Sequence, residues 1–164
     1  MPGRIEARLR ELGITLPEPA APVANYIPSN TIDFAVETGR RHGLVVISGQ
    51  IPLQGGKITC TGKLGAGVTV AEGKAAARLC FINLVAQLKE ACTGDLDRVK
   101  RVVRLGGFIA ATPEFTEHAL VMNGASDLAV EIFGEAGRHA RTTIGVASLP
   151  GDAAVEVEGM FEIG

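Results

Sequence analysis

Tryptophan is absent from this 164-residue chain and tyrosine occurs once. Aromatic residues make up only 4% of it, and its 16 Lys and Arg do not outnumber its 18 Asp and Glu. A nucleic-acid binder ordinarily shows a basic surplus or aromatic-basic platforms. Neither is here, which argues against nucleic acid as a partner. Cysteine is scarce: Cys60, Cys80 and Cys92 are an odd number without a CxxC pair. Neither a disulfide framework nor a zinc site is expected from them. No stretch approaches the roughly 20 apolar residues of a membrane span. Met1 to Leu12 is charged, unlike the apolar core of a signal peptide. A cytoplasmic protein with no membrane partner is the expectation.

The usual catalytic signatures are missing as well. Gly62-Lys63-Leu64-Gly65-Ala66-Gly67 lacks the Gly-Lys-Ser/Thr ending of a phosphate loop. His42, His118 and His139 lie in turn-like or polar contexts without metal-ligand spacing, and no Ser-His-Asp arrangement stands out. These residues lead to no expected metal and no expected cofactor.

What is there is apolar and glycine-rich, with 46% hydrophobic residues and 21 glycines. The length suffices for one core, so residues 1–164 read as a single domain, with residues 1–24 as an N-terminal helix and extended arm. Arg4 to Leu12 predicts a short amphipathic helix, with Ile5, Leu9 and Leu12 on one face and Gly13 as its C-terminal cap. Residues 16–28 hold four of the eight prolines and read as extended. Strands are expected over residues 32–38 and 44–48, linked by 39–43, with a turn at 54–57. Val70 to Ala91 is the clearest helix. Ala75, Leu79, Ile82 and Ala86 recur at helical spacing, and Leu84, Val85 and Leu88 widen the face. Thr69 and Glu72 match a capping box. A strand follows over 99–110, where Gly106-Gly107 suggests a bulge or a close backbone approach. A second helix over 119–133 is expected to break near Asn123-Gly124. The order (α)ββ-α-β-α-ββ predicts an α+β fold with helices on one face of the sheet. The other face would carry Val, Ile and Ala, and would need another subunit.

The C-terminal segment plants charge in apolar strand sequence. Thr142 to Leu149 is small and β-branched, Pro150-Gly151-Asp152 is a strong turn signal, and Ala154 to Ile163 alternates. Together they predict a β-hairpin. Arg141 heads its first strand. A planar guanidinium suits a carboxylate, although a strand-end arginine in a weak ion pair is the plainer reading. Glu156 and Glu158, two apart, share one face, which suits either a site or a solvated sheet surface. In a simple hairpin Glu156 pairs near Ala147, leaving Arg141 some six residues, or roughly 20 Å, away. A site shared by Arg141 and Glu156 therefore requires two chains. Tyr26, alone in the arm, suits packing as well as function. Ser48-Gly49 ends a strand, where backbone groups can face a ligand. Asn123 is either a helix-breaking polar group or a ligand contact.

These pieces resemble the RidA/YjgF family of reactive-intermediate deaminases, also labelled the endoribonuclease L-PSP family. Ala140-Arg141-Thr142 through Leu149-Pro150 to Val155-Glu156-Val157-Glu158 is similar to the family's ARS…LP…(V/I)E(V/I)E signature. Residues 46–52, Val-Ile-Ser-Gly-Gln-Ile-Pro, resemble its second-strand motif, and Asn25-Tyr26 its tyrosine-bearing arm. The resemblance runs from about Asn25 to Ile163. It implies a chorismate-mutase-like mixed sheet with two main helices on one face, in a homotrimer with clefts between subunits. The implied chemistry is hydrolysis of an imine or enamine, such as 2-aminoacrylate, to a 2-keto acid and ammonia, without cofactor. Carried over, Arg141 grips the carboxylate of a small substrate, Glu156 positions water, Gly49 supplies a backbone contact and Tyr26 closes the pocket. Ser48, Asn123 and Thr143 would stand beside the substrate. Thr143 occupies the position where the family often has Cys, which removes a thiol from the cleft wall. The N-terminal helix is extra. Residues 112–137 resemble a longer-chain subgroup, whose activity can differ. Two other readings are a small-carboxylate-binding regulator without turnover, and an endoribonuclease or translation inhibitor, against which the acidic balance argues.

Overall fold

The computed structural model describes residues 3–21, 24–34 and 42–164. Helix α1 (Arg4–Glu11) buries Ile5 and Leu9, one turn apart, as their spacing predicts. Its N-cap, Gly3, has no side chain to offer. Asp97 supplies the cap from far along the chain, accepting the Arg4 and Ile5 backbone N–H groups at 2.7 and 2.9 Å. Those bonds hold the Asp97 carboxyl below its ordinary range. Gly13, at φ +68°, ends the helix in the left-handed conformation that glycine adopts without strain.

Strand β1 (Ser29–Phe34) begins three residues earlier than expected, and residues 35–41, with most of the expected link, lie outside the described residues. β2 (His42–Gln50) follows, then a ribbon of β3 (Leu53–Gln54) and β4 (Lys57–Ile58). Their two-residue turn has Gly55 at φ +57° and Gly56 at φ +76°, the double positive φ of a type I′ hairpin. A second short ribbon joins β5 (Lys63–Leu64) and β6 (Gly67–Val68). Helix α2 (Val70–Ala91) starts at the capping box: the Thr69 N–H donates to Glu72 Oε2 at 2.8 Å, and the Glu72 N–H to Thr69 Oγ1 at 3.2 Å. Next come β7 (Val99–Ala110), α3 (His118–Phe133), β8 (Ala140–Val146) and β9 (Val155–Ile163).

The main sheet has five strands in the order β1-β2-β9-β7-β8. β8 runs parallel to β7, and the other neighbours are antiparallel, so the sheet is mixed. Helices α2 and α3 cover one face. Val45, Ile47, Leu105, Ile109, Val155, Val157 and Phe161 meet Phe81, Leu84, Leu88, Met122 and Leu128 in the core between them. Fold class and helix placement are as the sequence predicts. No described helix is long and apolar enough to cross a membrane.

Four details correct the sequence reading. First, β8 and β9 form no hairpin. The turn at Pro150–Asp152 exists, with Gly151 at φ +62°, but β9 inserts between β2 and β7. The reason is that β7, α3 and β8 form a strand-helix-strand crossover, which lays β8 parallel to β7 at the sheet edge. Second, α3 is continuous through Asn123-Gly124. A Cβ on Gly124 would strike the Lys74 carbonyl, so this glycine lets α2 and α3 approach closely and does not break the helix. Third, the α2 face follows the expected stripe only in its second half, where Leu84, Val85, Ala86 and Leu88 are buried as expected. Before them Ala77, Cys80 and Phe81 are buried, whereas Ala75 is exposed and Leu79 and Ile82 are only partly covered. The helix has apolar residues on several sides, so packing decided what periodicity could not. Fourth, the uncovered face is not uniformly aliphatic. Ile32, Phe34 and Ile144 are about half exposed on its outer strands, and Glu156, Glu158 and Met160 occupy its middle.

Gly106-Gly107 is a close approach, with the β7 bulges lying elsewhere. A Cβ on Gly106 would meet Glu158 Oε1 at 2.7 Å on the open face, and one on Gly107 would meet Met122 Sδ at 2.6 Å on the helical face.

Candidate functional site

The charged residues singled out in the sequence fall into two clusters. The cationic one is built on β8 and α3. Arg141 pairs with Leu105 of β7, a core residue, so its side chain leaves the sheet on the helical side. There Nη1 donates to Asn123 Oδ1 at 2.9 Å and to Ser126 Oγ at 3.1 Å, and Nη2 donates to the Ala119 carbonyl at 3.2 Å. Ala119, Asn123 and Ser126 stand at helical spacing on one face of α3. All three acceptors are neutral, and Arg141 has no carboxylate within ion-pair distance among the described residues. A guanidinium has five N–H donors. Three are engaged, which leaves Nε–H and one N–H of Nη2 without a partner among the described residues.

Asn123 thus binds the arginine. Thr143, two residues on from Arg141 and on the same face, has a buried hydroxyl with no hydrogen-bond partner. Sequence reasoning missed two members of this cluster. His139 Nε2 lies 2.9 Å from Ser126 Oγ, and His139 Nδ1 lies 2.6 Å from the Gly137 carbonyl. Burial, and then the Arg141 charge, hold the His139 pKa below its ordinary value despite the Gly137 carbonyl. The signal was in the alternation: His139, Arg141 and Thr143 share a parity. What was lacking was the crossover that brings α3 above them.

The acidic cluster is built on β2 and β9. Between Ile47 and Gln50 the β2 register slips by one residue against β9, so Ser48-Gly49 is a bulge. The arm fixes it: the Ser48 N–H donates to the Pro28 carbonyl at 2.9 Å, and Ser48 Oγ donates to the Ile27 carbonyl at 2.9 Å. Gln50 Nε2 donates to the Ser48 and Gly49 carbonyls at 3.0 and 3.2 Å. A Cβ on Gly49 would overlap Glu156 Oε1, so the Glu156 carboxyl lies directly against the Gly49 backbone. Burial, and then the neighbouring Glu158, push the Glu156 pKa above its ordinary value. Glu158 is paired with Arg104 at 3.2 Å, whereas no cation pairs with Glu156 among the described residues. Tyr26 and Gly49 also line a cavity of about 380 Å³, together with Pro17, Pro19, Asn83 and Gln87. The Ser48 hydroxyl is spent on the arm.

The structure brings Ser48, Gly49 and Glu156 together, with Tyr26 lining a cavity beside Gly49, and separately Asn123, Thr143 and Arg141. It does not join the clusters within one chain. Arg141 stands opposite Leu105 and Glu156 opposite Phe108, on either flank of β7. Two strand spacings and three residue rises separate their Cα atoms by about 14 Å. The hairpin estimate of roughly 20 Å is superseded, and the two side chains leave opposite faces of the sheet. Among the described residues no group of three or more His, Cys, Asp or Glu could hold a metal ion.

Comparison with known proteins agrees with this architecture. The family described as YjgF/chorismate mutase-like, with endoribonuclease as its candidate activity, matches residues 6–160. Protein TCP17 of Trypanosoma cruzi is 48% identical over 162 residues, which cover 98% of this chain and 95% of that protein. The solved structure of Atu1372 from Agrobacterium tumefaciens, of unknown function, is 46% identical with a TM-score of 0.85, covering 98% of this chain and 92% of that one. A Shewanella oneidensis MR-1 structure named as a candidate endoribonuclease is 41% identical with a TM-score of 0.85, covering 97% of this chain and 99% of that one.

Proposed function

This chain belongs to the YjgF/chorismate mutase-like family, and we propose that it hydrolyses reactive imines and enamines of 2-amino acids, such as 2-aminoacrylate, to 2-keto acids and ammonia. The observation that carries this reading is Arg141: a cation tethered by three neutral acceptors, uncompensated by any described carboxylate, with two donors to spare. Such a group is prepared for a carboxylate brought by a ligand.

In this reading Arg141 binds the substrate carboxylate and so fixes the imine carbon. An imine is already electrophilic, so orientation and proton management suffice. Glu156 holds a water and takes its proton as the oxygen adds to the imine carbon. The nitrogen takes up that proton and then the proton of the new hydroxyl, the C–N bond breaks, and ammonia leaves a ketone behind. Water is the only co-reactant. The raised pKa of Glu156 suits a group that both accepts and returns a proton. Because Arg141 and Glu156 leave opposite faces of one sheet, the reading places them together across a subunit contact, in a homotrimer of the cytoplasm. The half-exposed Ile32, Phe34 and Ile144 on the uncovered face support such a contact. The ribonuclease reading has the Shewanella relative's name in its favour. Against it stand the acidic balance of the chain and the open face. There Arg101 and Arg104 are taken up by Glu162 and Glu158 and no described cation pairs with Glu156, so no basic platform is left for a phosphate backbone.

The test is release of ammonia and 2-keto acid from imines generated in situ from several amino acids. Wild type should exceed the spontaneous rate, and Arg141→Ala should lose about a hundredfold, the equivalent of ~3 kcal/mol of charge-assisted hydrogen bonding. No acceleration by wild type with any amino acid would sink the deaminase reading and favour a binding protein without turnover.

A further inference from the structure

Arg141 is held by a chain of hydrogen bonds whose direction can be deduced. A carbonyl oxygen only accepts, so the 2.6 Å contact between His139 Nδ1 and the Gly137 carbonyl places a proton on Nδ1. In the neutral ring Nε2 is then an acceptor. The lowered pKa keeps the ring neutral at neutral pH. Ser126 Oγ, 2.9 Å away, must therefore donate its proton to Nε2. That turns the hydroxyl lone pairs toward Arg141 Nη1, at 3.1 Å. Every donor points the same way, from Arg141 to Ser126 to His139 to Gly137, and such aligned bonds strengthen one another.

A serine hydroxyl on its own rotates to suit its surroundings. With His139 as acceptor, this one has a single favoured rotamer. The Ser–His contact is also that of a nucleophile and its base. Here, however, the serine oxygen already accepts from a guanidinium, which withdraws the electron density that an attack would use.

We propose that Ser126 and His139 are positioning residues: together they fix the Arg141 guanidinium so that Nε–H and the remaining Nη2–H meet a ligand carboxylate in one orientation. The proposal rests on Arg141 being the carboxylate clamp, but the relay exists without ligand and can be read without it.

The experiment uses the intact protein, pyruvate as probe, and the variants Ser126→Ala, His139→Asn and His139→Gln. Glutamine reaches the position of Nε2 and can accept from Ser126, whereas asparagine reaches only the position of Nδ1. The pyruvate Kd should rise about tenfold in Ser126→Ala and His139→Asn, the loss of one hydrogen bond to a charged group, and should return to near wild type in His139→Gln. Wild-type affinity in Ser126→Ala overturns the proposal, as does a His139→Gln variant as weak as His139→Asn. In the ligand-free protein, ¹⁵N spectra should find His139 in the Nδ1–H tautomer and the Arg141 side-chain protons slow to exchange, with that slowness lost in Ser126→Ala. An Nε2–H tautomer reverses the relay and overturns it. If wild type fails to bind pyruvate, the carboxylate-clamp reading fails instead, and the ligand-free spectra still decide the relay. Ser126→Ala only trims a hydroxyl from a partly exposed helix position, so one variant keeps its fold even if the histidine variants do not.

Discussion

The two clusters solve the same electrostatic problem in opposite ways. Arg141 keeps its charge because its partners are neutral: an amide, a hydroxyl and a carbonyl. Glu156 keeps its carboxyl unpaired because a bulge and a glycine make room for it, and burial then disfavours its charge. Several neighbouring charges, by contrast, are paired. Glu158 takes Arg104, Glu162 takes Arg101, Glu131 takes Arg78 and Asp127 takes Lys74. Unpaired, partly buried charges of opposite sign are a mark of function. The difference between them divides the labour: the arginine is positioned rigidly for binding, and the glutamate is poised for proton transfer.

If the two clusters complete each other across a subunit contact, they can be separated genetically. Arg141→Ala and Glu156→Gln should each be inactive alone. Protomers of the two variants, unfolded and refolded together in equal amounts, should regain activity. In a closed ring with one cluster from each neighbour, about a quarter of the clefts would combine an intact Arg141 with an intact Glu156. A mixture as inactive as its parents would place both groups in the same protomer's site, or show that they do not cooperate at all.

A smaller effect should follow from touching only the acidic cluster. Gly49→Ala builds a Cβ where Glu156 Oε1 now lies. Either the carboxyl swings away or the bulge shifts, and such overpacking costs about 1–3 kcal/mol of stability. Turnover should fall by about tenfold to a hundredfold, within the range that general acid–base assistance contributes, while pyruvate affinity changes little. A loss of affinity as large as that of Arg141→Ala would show that Gly49 serves binding and would blur the division of labour.

Local signals in the sequence were read correctly where the chemistry is local. The Thr69–Glu72 box, the extent of α2 and β7, the Gly55-Gly56 turn and the alternation of β9 all depend on near neighbours. The errors lie where distant segments decide. Pro150-Gly151-Asp152 between two alternating runs has the pattern of a hairpin, and only the β7-α3-β8 crossover, which claims β8 for β7, excludes it. Gly124 looked like a helix breaker because its actual reason, the Lys74 carbonyl, is fifty residues away in the chain. The same crossover explains why Ser126 and His139 were not placed at the site while Arg141, at the head of their hydrogen-bond chain, was picked out: a guanidinium in an apolar strand is conspicuous in one dimension, and its tether is not.

The smallest predicted effect tests the electrostatics of the acidic cluster directly. Glu156 has a raised pKa, so it is ionised only above that value, and turnover that needs its carboxylate is lost as pH falls through it. Burial is the larger cause of the rise, and the Glu158 charge is the lesser one. Glu158→Gln removes that like charge and also frees Arg104, now 3.2 Å from Glu158, to act on Glu156. Both changes favour the ionised form, so the acid limb of the pH–rate profile should move to lower pH with little change in the plateau. The shift should shrink at high salt, because Glu158 and Arg104 are partly exposed and screened. An unmoved limb would mean that some other group sets it. A movement to higher pH would mean that Arg104 reaches Glu156 only through Glu158, so that the pair acts as one unit in orienting the acid.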